Sequence, residues 1–128
     1  MNLKSFFVIT AVLGLSLGLG FFFTPELMMS TFGISAGEAH QHTARNFGSA
    51  LIALAVISWM ARDATDSRAR RAIILGLFTY FIFGSISIIS FQLQGNVNIY
   101  GWFIVVLHVL LALAFGYYLL VNRSSVDR

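Results

Sequence analysis

The chain has 128 residues, of which 58% are hydrophobic and only 10% are charged, and its mean hydropathy is +0.83. This composition excludes an ordinary soluble domain, and the length predicts one domain over residues 1–128. The absence of cysteine excludes disulfides, thiolate metal sites and thiol nucleophiles. The net charge of +3 does not indicate a nucleic-acid partner, because the basic residues are spread over separate segments.

Four apolar stretches are each long enough to cross the hydrocarbon core of a bilayer, which takes roughly 20 helical residues. They cover about 5–23, 42–61, 72–92 and 99–121. The predicted fold is therefore all-α, an integral membrane up-and-down four-helix bundle with a short interfacial helix between the first and second spans. The lipid bilayer is its first expected partner.

The first span is predicted to be an uncleaved helix, because no small-residue cleavage site follows it and its apolar run is longer than that of a signal peptide. Gly14 and Gly18 have the spacing that lets membrane helices approach closely. The alternative is that glycine is simply common in apolar helices. Across the four spans, we expect helix packing at Gly14, Gly18, Gly48, Gly76, Gly84, Gly101, Ala112 and Gly116.

A short helix is predicted after the first span and should end near Phe32. Thr24 can cap it, Pro25 occupies its first position, and Gly33 can stop it. It is too short to span a bilayer, so we expect it to lie along the membrane surface. An irregular loop is the alternative.

The second span has the most polar entrance in the chain. Ser35 and Glu38 fit a capping box, which predicts a helix start near Ala36. Helical spacing then places several polar residues on one face, namely His42, Arg45, Asn46 and Ser49. Polar groups at membrane depth are costly, so this face is expected to contact protein or water.

Arg45 has two interpretations. Its long side chain can reach back to the headgroups, in which case it is an interfacial anchor. Alternatively it points inward, where it would pair with Asn46 or bind an anionic or carbonyl ligand.

The only strongly charged run, Arg62 to Arg71, predicts a tight connection in which Thr65 or Asp66 caps the third span. Seven of the eight basic residues fall on one side of the predicted bundle: Lys4, Arg62, Arg68, Arg70, Arg71, Arg123 and Arg128. This bias predicts that both termini and the central loop lie in the cytoplasm.

The third span ends with Gln92 and Gln94, which are expected to lie at the same membrane depth as Arg45. Either Asn96 or Asn98 is expected to cap the fourth span. On the fourth span His108 shares a stripe with small residues, which favours an interior position. The candidate ligand-binding residues are therefore Arg45, Asn46, Gln92 and His108.

No catalytic residue, metal site or cofactor is predicted. His40 and His42 point to different helix faces and lack a clear third ligand beyond Glu38. His42 and His108 lie at different depths, which argues against a haem held by two histidines. Nucleophilic triads, paired carboxylates within the spans and phosphate-binding loops are not seen, so an enzyme is left open but not favoured.

The motifs resemble those of small bacterial four-span membrane proteins, including the DoxX-like group. They are Phe22-x-x-Pro25-Glu26-Leu27, Phe32-Gly33, Ala44-Arg45-x-Phe47-Gly48 and the closing Arg70-Arg71. The resemblance implies an up-and-down four-helix membrane protein and implies no catalytic residue.

The leading hypothesis for function is a noncatalytic membrane protein that is an accessory or assembly subunit of a larger complex, or a homo-oligomer. It follows from an almost loop-free chain with glycines on several helices and no recognisable reaction centre. The alternative is a protein that binds, or an enzyme that acts on, a quinone, sterol or lipid in a pocket of the outer half.

Overall fold

The computed structural model describes residues 2–35 and 37–121. This part of the chain contains five α-helices and no strand: α1 (Leu3–Phe23), α2 (Pro25–Thr31), α3 (Glu38–Ala61), α4 (Arg68–Leu93) and α5 (Tyr100–Val121). All but α2 are long and apolar enough to cross a membrane. The predictions of an all-helical chain and of four apolar helices are confirmed. Arg123 and Arg128, which entered the prediction of orientation, lie outside the described residues.

The short α2 forms at the predicted place, and Pro25 is its first residue. Thr24 does not cap it, because this hydroxyl donates to the carbonyl of Gly20 at 2.9 Å. Thr24 is the only residue between α1 and α2, and its side chain closes the last turn of α1 instead. Gly33 stops the chain after α2 with φ +77°, a conformation that glycine adopts without strain.

The predicted capping box at the start of α3 is wrong. The helix begins at Glu38 with Gly37 as its N-cap and has no side-chain cap. Ser35 therefore lies two residues ahead of the cap position, too far along the chain for its hydroxyl to serve that role. The predicted start at Ala36 falls outside the described residues.

At the starts of α4 and α5, short polar side chains accept hydrogen bonds from backbone amides. At α4 the cap is Ser67, whose hydroxyl accepts from the Arg70 amide at 3.2 Å, so the prediction of Thr65 or Asp66 is wrong. The chain turns into the helix one residue later than predicted. At the start of α5, Asn98 accepts from the backbone amide of Tyr100 at 3.1 Å, and it is one of the two asparagines predicted there.

The long helices pack as two tight pairs, α1 with α3 and α4 with α5, and the two pairs touch each other much less. Between α1 and α3 the backbones approach closely at Gly18 and Gly48. A Cβ on Gly48 would lie 2.7 Å from the Gly18 carbonyl oxygen and 2.7 Å from the Phe22 amide nitrogen. Only glycine fits this contact, which is the geometry of a small-residue helix interface.

In the α4–α5 pair, glycines of α5 leave room for large or polar side chains of α4. A Cβ on Gly116 would lie 2.9 Å from the ring of Phe78, and one on Gly101 would collide with the side chain of Gln92. Ala112 is buried in the same pair. A Cβ on Gly76, by contrast, would meet no atom of the described residues within 4 Å, so this glycine faces open space.

One end of the molecule carries Lys4, Arg62, Asp63 and Arg70, and we call it the basic end. Here the pairs meet through a hydrophobic core that includes Phe7, Leu77, Phe81 and Phe115. The rings of Phe7 and Phe115 are fully buried with centroids 5.6 Å apart, and Phe81 stacks on Phe115 at 6.0 Å. The opposite end, formed by α2 and residues 94–99, is the α2 end.

Candidate functional site

A cavity of about 420 Å³ lies between the two helix pairs at the α2 end. All four long helices contribute to its wall, together with the two connections at that end. The apolar part of the lining is Leu17, Phe21, Phe32, Ile34, Phe47, Leu51, Ile88, Phe91, Val97 and Ile104. The polar part is Tyr80, Ser87, Ser90, Gln94 and His108. None of the described residues that line the cavity is an acid, a lysine or an arginine.

The cavity has a roof made by the α2–α3 connection and the α4–α5 connection. Asn98 joins them, because its amide donates to the carbonyl of Phe32 at 3.0 Å and its side chain donates to the carbonyl of Thr31 at 2.8 Å. Gln92 is buried beneath, and its Nε2 donates to the carbonyls of Val97 and Asn98, each at 3.2 Å. Gln92 therefore holds the roof in place and does not line the cavity.

The cavity is open to one side. Its exposed lining residues all belong to α3 or to α4 and its C-cap: Phe47, Ser87, Ser90, Phe91 and Gln94. The lining residues from α1 and α5, among them Leu17 and His108, are half-buried or buried. The opening therefore lies at the seam between α3 and α4.

His108 is the polar residue that α5 contributes to the cavity. Its side chain is only 8% exposed, and Nδ1 lies 2.9 Å from the Ile104 carbonyl oxygen in the preceding turn. The ring is 5.9 Å from that of Tyr80 and 5.4 Å from that of Phe81. It packs against Gly84, where a Cβ would come within 2.8 Å of Cδ2. The missing Cβ is thus what leaves room for the imidazole.

A second, much smaller cavity of about 40 Å³ lies next to the first and shares Tyr80 and His108 with it. Thr10 of α1 also lines this small cavity. Its hydroxyl is buried and has no hydrogen-bond partner among the described residues. Threonine in a helix commonly bonds the carbonyl one turn back, so an unpaired buried hydroxyl departs from the usual pattern.

Arg45 and Asn46 lie on the exposed face of α3 and do not reach the cavity. Asn46 Nδ2 is 3.4 Å from His42 Nε2, within the same helix face. Arg45 lines a separate groove of about 510 Å³ with residues of α2, including Glu26 and Ser30. The groove is more open than the cavity and its lining is more polar, so the cavity is the better candidate for a small-molecule site.

Of the four candidate ligand-binding residues, the structure thus brings only His108 to the cavity. The face that holds Arg45 is turned outward because Gly48 contacts α1, and Ala44, Gly48 and Leu51 are the buried residues of this part of α3. Neither Tyr80 nor Thr10 was among the candidate site residues predicted from the sequence. Tyr80 could have been included, since a phenol in the middle of an apolar span, one helical turn from Gly84, is a polar group that needs a partner.

Residues 2–35 and 37–121 contain no group of three His, Asp or Glu side chains placed to hold a metal ion. A family model described as "Domain of unknown function (DUF8292)" matches residues 3–127. The match is to this family and not to the DoxX group, which the motifs resemble. No curated protein and no solved structure matches the chain.

Proposed function

We propose that this chain, which belongs to the DUF8292 family, is a multi-pass membrane protein that binds a lipid-like small molecule in the cavity at the α2 end. The observation that carries the proposal is an apolar cavity of about 420 Å³ that opens sideways between α3 and α4. A binder of a lipid-like small molecule is the alternative function predicted from the sequence, but of the residues predicted to surround the ligand only His108 lines the cavity.

The size and chemistry of the cavity support a small-molecule ligand. Sites for such ligands usually measure about 300–1,000 Å³ and are mostly apolar with a few convergent polar groups. Here the polar groups are Tyr80 and His108 in the interior and Ser87, Ser90 and Gln94 toward the opening. Because the described lining holds no acid, lysine or arginine, a neutral or weakly polar molecule fits better than an ion.

The proposed setting is an up-and-down four-helix bundle in a bacterial inner membrane, with the basic end in the cytoplasm. The basic end carries Lys4, Arg62, Arg68, Arg70 and Arg71, as the positive-inside bias requires. The side opening then faces the acyl chains of the outer leaflet, so the ligand enters from the bilayer. Reporter fusions after Gly37 and after Ser67 test this arrangement, and a periplasm-dependent reporter that is active at Ser67 would reverse it.

Native mass spectrometry of the protein released from mild detergent tests binding directly. Ser87→Phe places a ring at the opening of the cavity, whereas Ser16→Phe makes the same change at an exposed position of α1, outside the cavity. We expect a small molecule to be retained by the parent protein and by Ser16→Phe, and to be reduced at least about tenfold in Ser87→Phe. Equal retention by the two variants, or no retained molecule in any form, contradicts the proposal.

A second role, as a subunit of a larger complex or homo-oligomer, is favoured by the outward polar face of α3. Arg45 and Arg62 are separated by 16 residues, about 24 Å of helix, which is less than the roughly 30 Å of a bilayer core. Arg45 and Asn46 are exposed there. Polar groups at membrane depth are usually covered by protein, so we propose that another membrane subunit packs on this face.

Substitutions of Arg45 separate this role from simple anchoring at the headgroups. If a partner accepts hydrogen bonds from the planar guanidinium, Arg45→Lys should lower partner retention and Arg45→Gln should lower it further. Arg68→Gln at the basic end is the control for loss of one positive charge. Full retention of partner and fold in Arg45→Lys, measured by co-purification and detergent melting, would leave Arg45 as an interfacial anchor.

A further inference from the structure

We infer that the ligand enters the cavity with its polar head first, and that this head is a neutral hydroxyl, as in an alcohol or phenol. The inference rests on the proposed binding function and narrows the class of ligand. It starts from three polar side chains that line the small second cavity, Thr10, Tyr80 and His108, of which Tyr80 and His108 also line the main cavity.

The hydrogen bond of His108 determines which atom it can offer to a ligand. Nδ1 lies 2.9 Å from the carbonyl oxygen of Ile104, and a carbonyl oxygen can only accept. Nδ1 therefore carries the proton, and in the neutral ring Nε2 is an acceptor. A ligand that pairs with this nitrogen has to bring a donor.

Tyr80 and Thr10 supply the complementary groups. The Tyr80 ring is 5.9 Å from the imidazole, and its hydroxyl can both donate and accept. Thr10 is 5% exposed, and its buried hydroxyl has no hydrogen-bond partner within the described part of the chain. Both residues and His108 line the 40 Å³ cavity, which has room for a group about the size of a water molecule.

A hydroxyl head satisfies this set of groups, whereas a quinone or ester carbonyl and an ionised head do not. It donates to Nε2 of His108 and accepts from the hydroxyl of Tyr80 or Thr10. A quinone or ester carbonyl cannot donate, so Nε2 would be buried without a partner. A carboxylate or phosphate would lie in an apolar cavity whose described lining holds no Lys or Arg, which is unfavourable for an ion. Among the ligands expected from the sequence, sterols and reduced quinols carry the required group.

Three probes that share one alkyl chain test the head directly: dodecanol, dodecyl methyl ether and dodecanoate. Their affinities are measured by competition on the full-length protein in mild detergent, with native mass spectrometry as the readout. One net hydrogen bond corresponds to about fivefold, so we expect dodecanol to bind about fivefold more tightly than the ether. Dodecanoate is expected to be the weakest.

Variants assign that preference to the named side chains. His108→Phe keeps an aromatic ring but removes the acceptor. The ratio of the affinities for dodecanol and for the ether should therefore fall to about one, while both probes still bind through their alkyl chains. Gly84→Ala leaves His108 present but displaces its ring, since the new Cβ would lie 2.8 Å from Cδ2, and it should also lower the ratio. Thr79→Val, on α4 and outside both cavities, is the control and should leave the ratio unchanged.

The possible failures are distinguishable. Binding of all three probes with equal affinity, or tightest binding of dodecanoate, overturns the hydroxyl-first inference and leaves lipid binding in place. If the dodecanol-to-ether affinity ratio is the same in His108→Phe and in Gly84→Ala as in the parent protein, the role of His108 is overturned. If none of the probes binds the parent protein, the proposed function fails together with the inference.

Discussion

The basic end and the α2 end are built from the same four long helices, yet one is filled and the other is open. At the basic end, Phe7, Phe81 and Phe115 bridge the two helix pairs with buried rings. At the α2 end, α1 has Gly14 and Gly18 where it contacts α3, and a cavity of about 420 Å³ separates the pairs. Large buried rings fill the space between the pairs at the basic end, whereas at the α2 end that space is left open.

This difference places the packed core and the proposed binding site at opposite ends of the molecule. Packing at the basic end joins the pairs, and tight glycine contacts hold each pair together on its own. The α2 end can therefore leave space for a ligand without losing the overall arrangement. The following predictions test that separation, beginning with the largest expected effect.

Removing the central ring of the basic end should be the most damaging change. Phe115 is fully buried and touches both Phe7 and Phe81, so Phe115→Ala leaves a large cavity and should destabilise the protein by about 3–5 kcal/mol. Phe103→Ala on the same helix is the control, because that ring is 67% exposed. Thermal melting in detergent or steric trapping measures both. Similar losses in the two variants would mean that the basic end is not the main packed junction.

The close contact within the α1–α3 pair is tested by adding one methyl group. In Gly48→Ala the new Cβ would lie 2.7 Å from backbone atoms of α1, so the helices must separate, at a cost of about 1–3 kcal/mol. Gly76→Ala puts the same group into open space and should be neutral or stabilising by up to about 1 kcal/mol. Melting curves that rank Gly76→Ala below Gly48→Ala would contradict the contact.

Two identical substitutions compare the ends on one helix. Ile74 is 2% exposed in the core of the basic end, so Ile74→Phe should overpack it and cost about 1–3 kcal/mol. Ile88 lines the cavity, and Ile88→Phe should change stability by less than about 1 kcal/mol because space is available. The same variant should weaken retention of the small molecule. Equal destabilisation by both would show that the α2 end is packed after all.

The smallest effect concerns the ion pair of the basic end, in which Lys4 Nζ lies 2.6 Å from Asp63 Oδ1. The hydrogen bond from Lys4 lowers the pKa of the Asp63 carboxyl below its usual 3.8, with Arg62 nearby adding to the effect. A lowered pKa in the folded state stabilises the fold above pH 3.8, and the contribution is lost as the pH falls through the folded value.

Asp63→Asn should therefore lower the melting temperature slightly at neutral pH and leave it unchanged in acid. Both side chains are more than half exposed, so salt should weaken the difference further. A melting temperature that differs equally between the parent protein and Asp63→Asn at pH 7 and in strong acid would rule out this linkage.

Much of the fold could be predicted from the sequence because hydrophobic length and turn chemistry are local properties. The apolar stretches predicted four helices, and Pro25 and Gly33 marked the bounds of α2. Helix starts were less predictable where several capping residues stand close together. Ser67 caps α4 although Thr65 and Asp66 precede it, since the choice depends on where the chain turns into the helix.

The candidate site was harder to predict because it depends on how helices turn about their own axes. Periodicity correctly grouped Arg45 with Asn46 on one face of α3, but it carries no information on which face meets α1. The close contact at Gly48 decides that question and turns the polar face outward. The interior position predicted for His108 matches its burial, since the stripe of small residues on α5 marks a packed face.

Each helix pair is contiguous in the sequence, since α1 to α3 occupy 3–61 and α4 with α5 occupies 68–121. The ribosome therefore completes the first pair, with its glycine contact, before it makes the second. Neither half contains the cavity, which comes into existence only when the halves dock. A gene divided within residues 62–67 and expressed as two polypeptides should yield partners that recover ligand binding only after they reassociate, so the ligand would report on biogenesis.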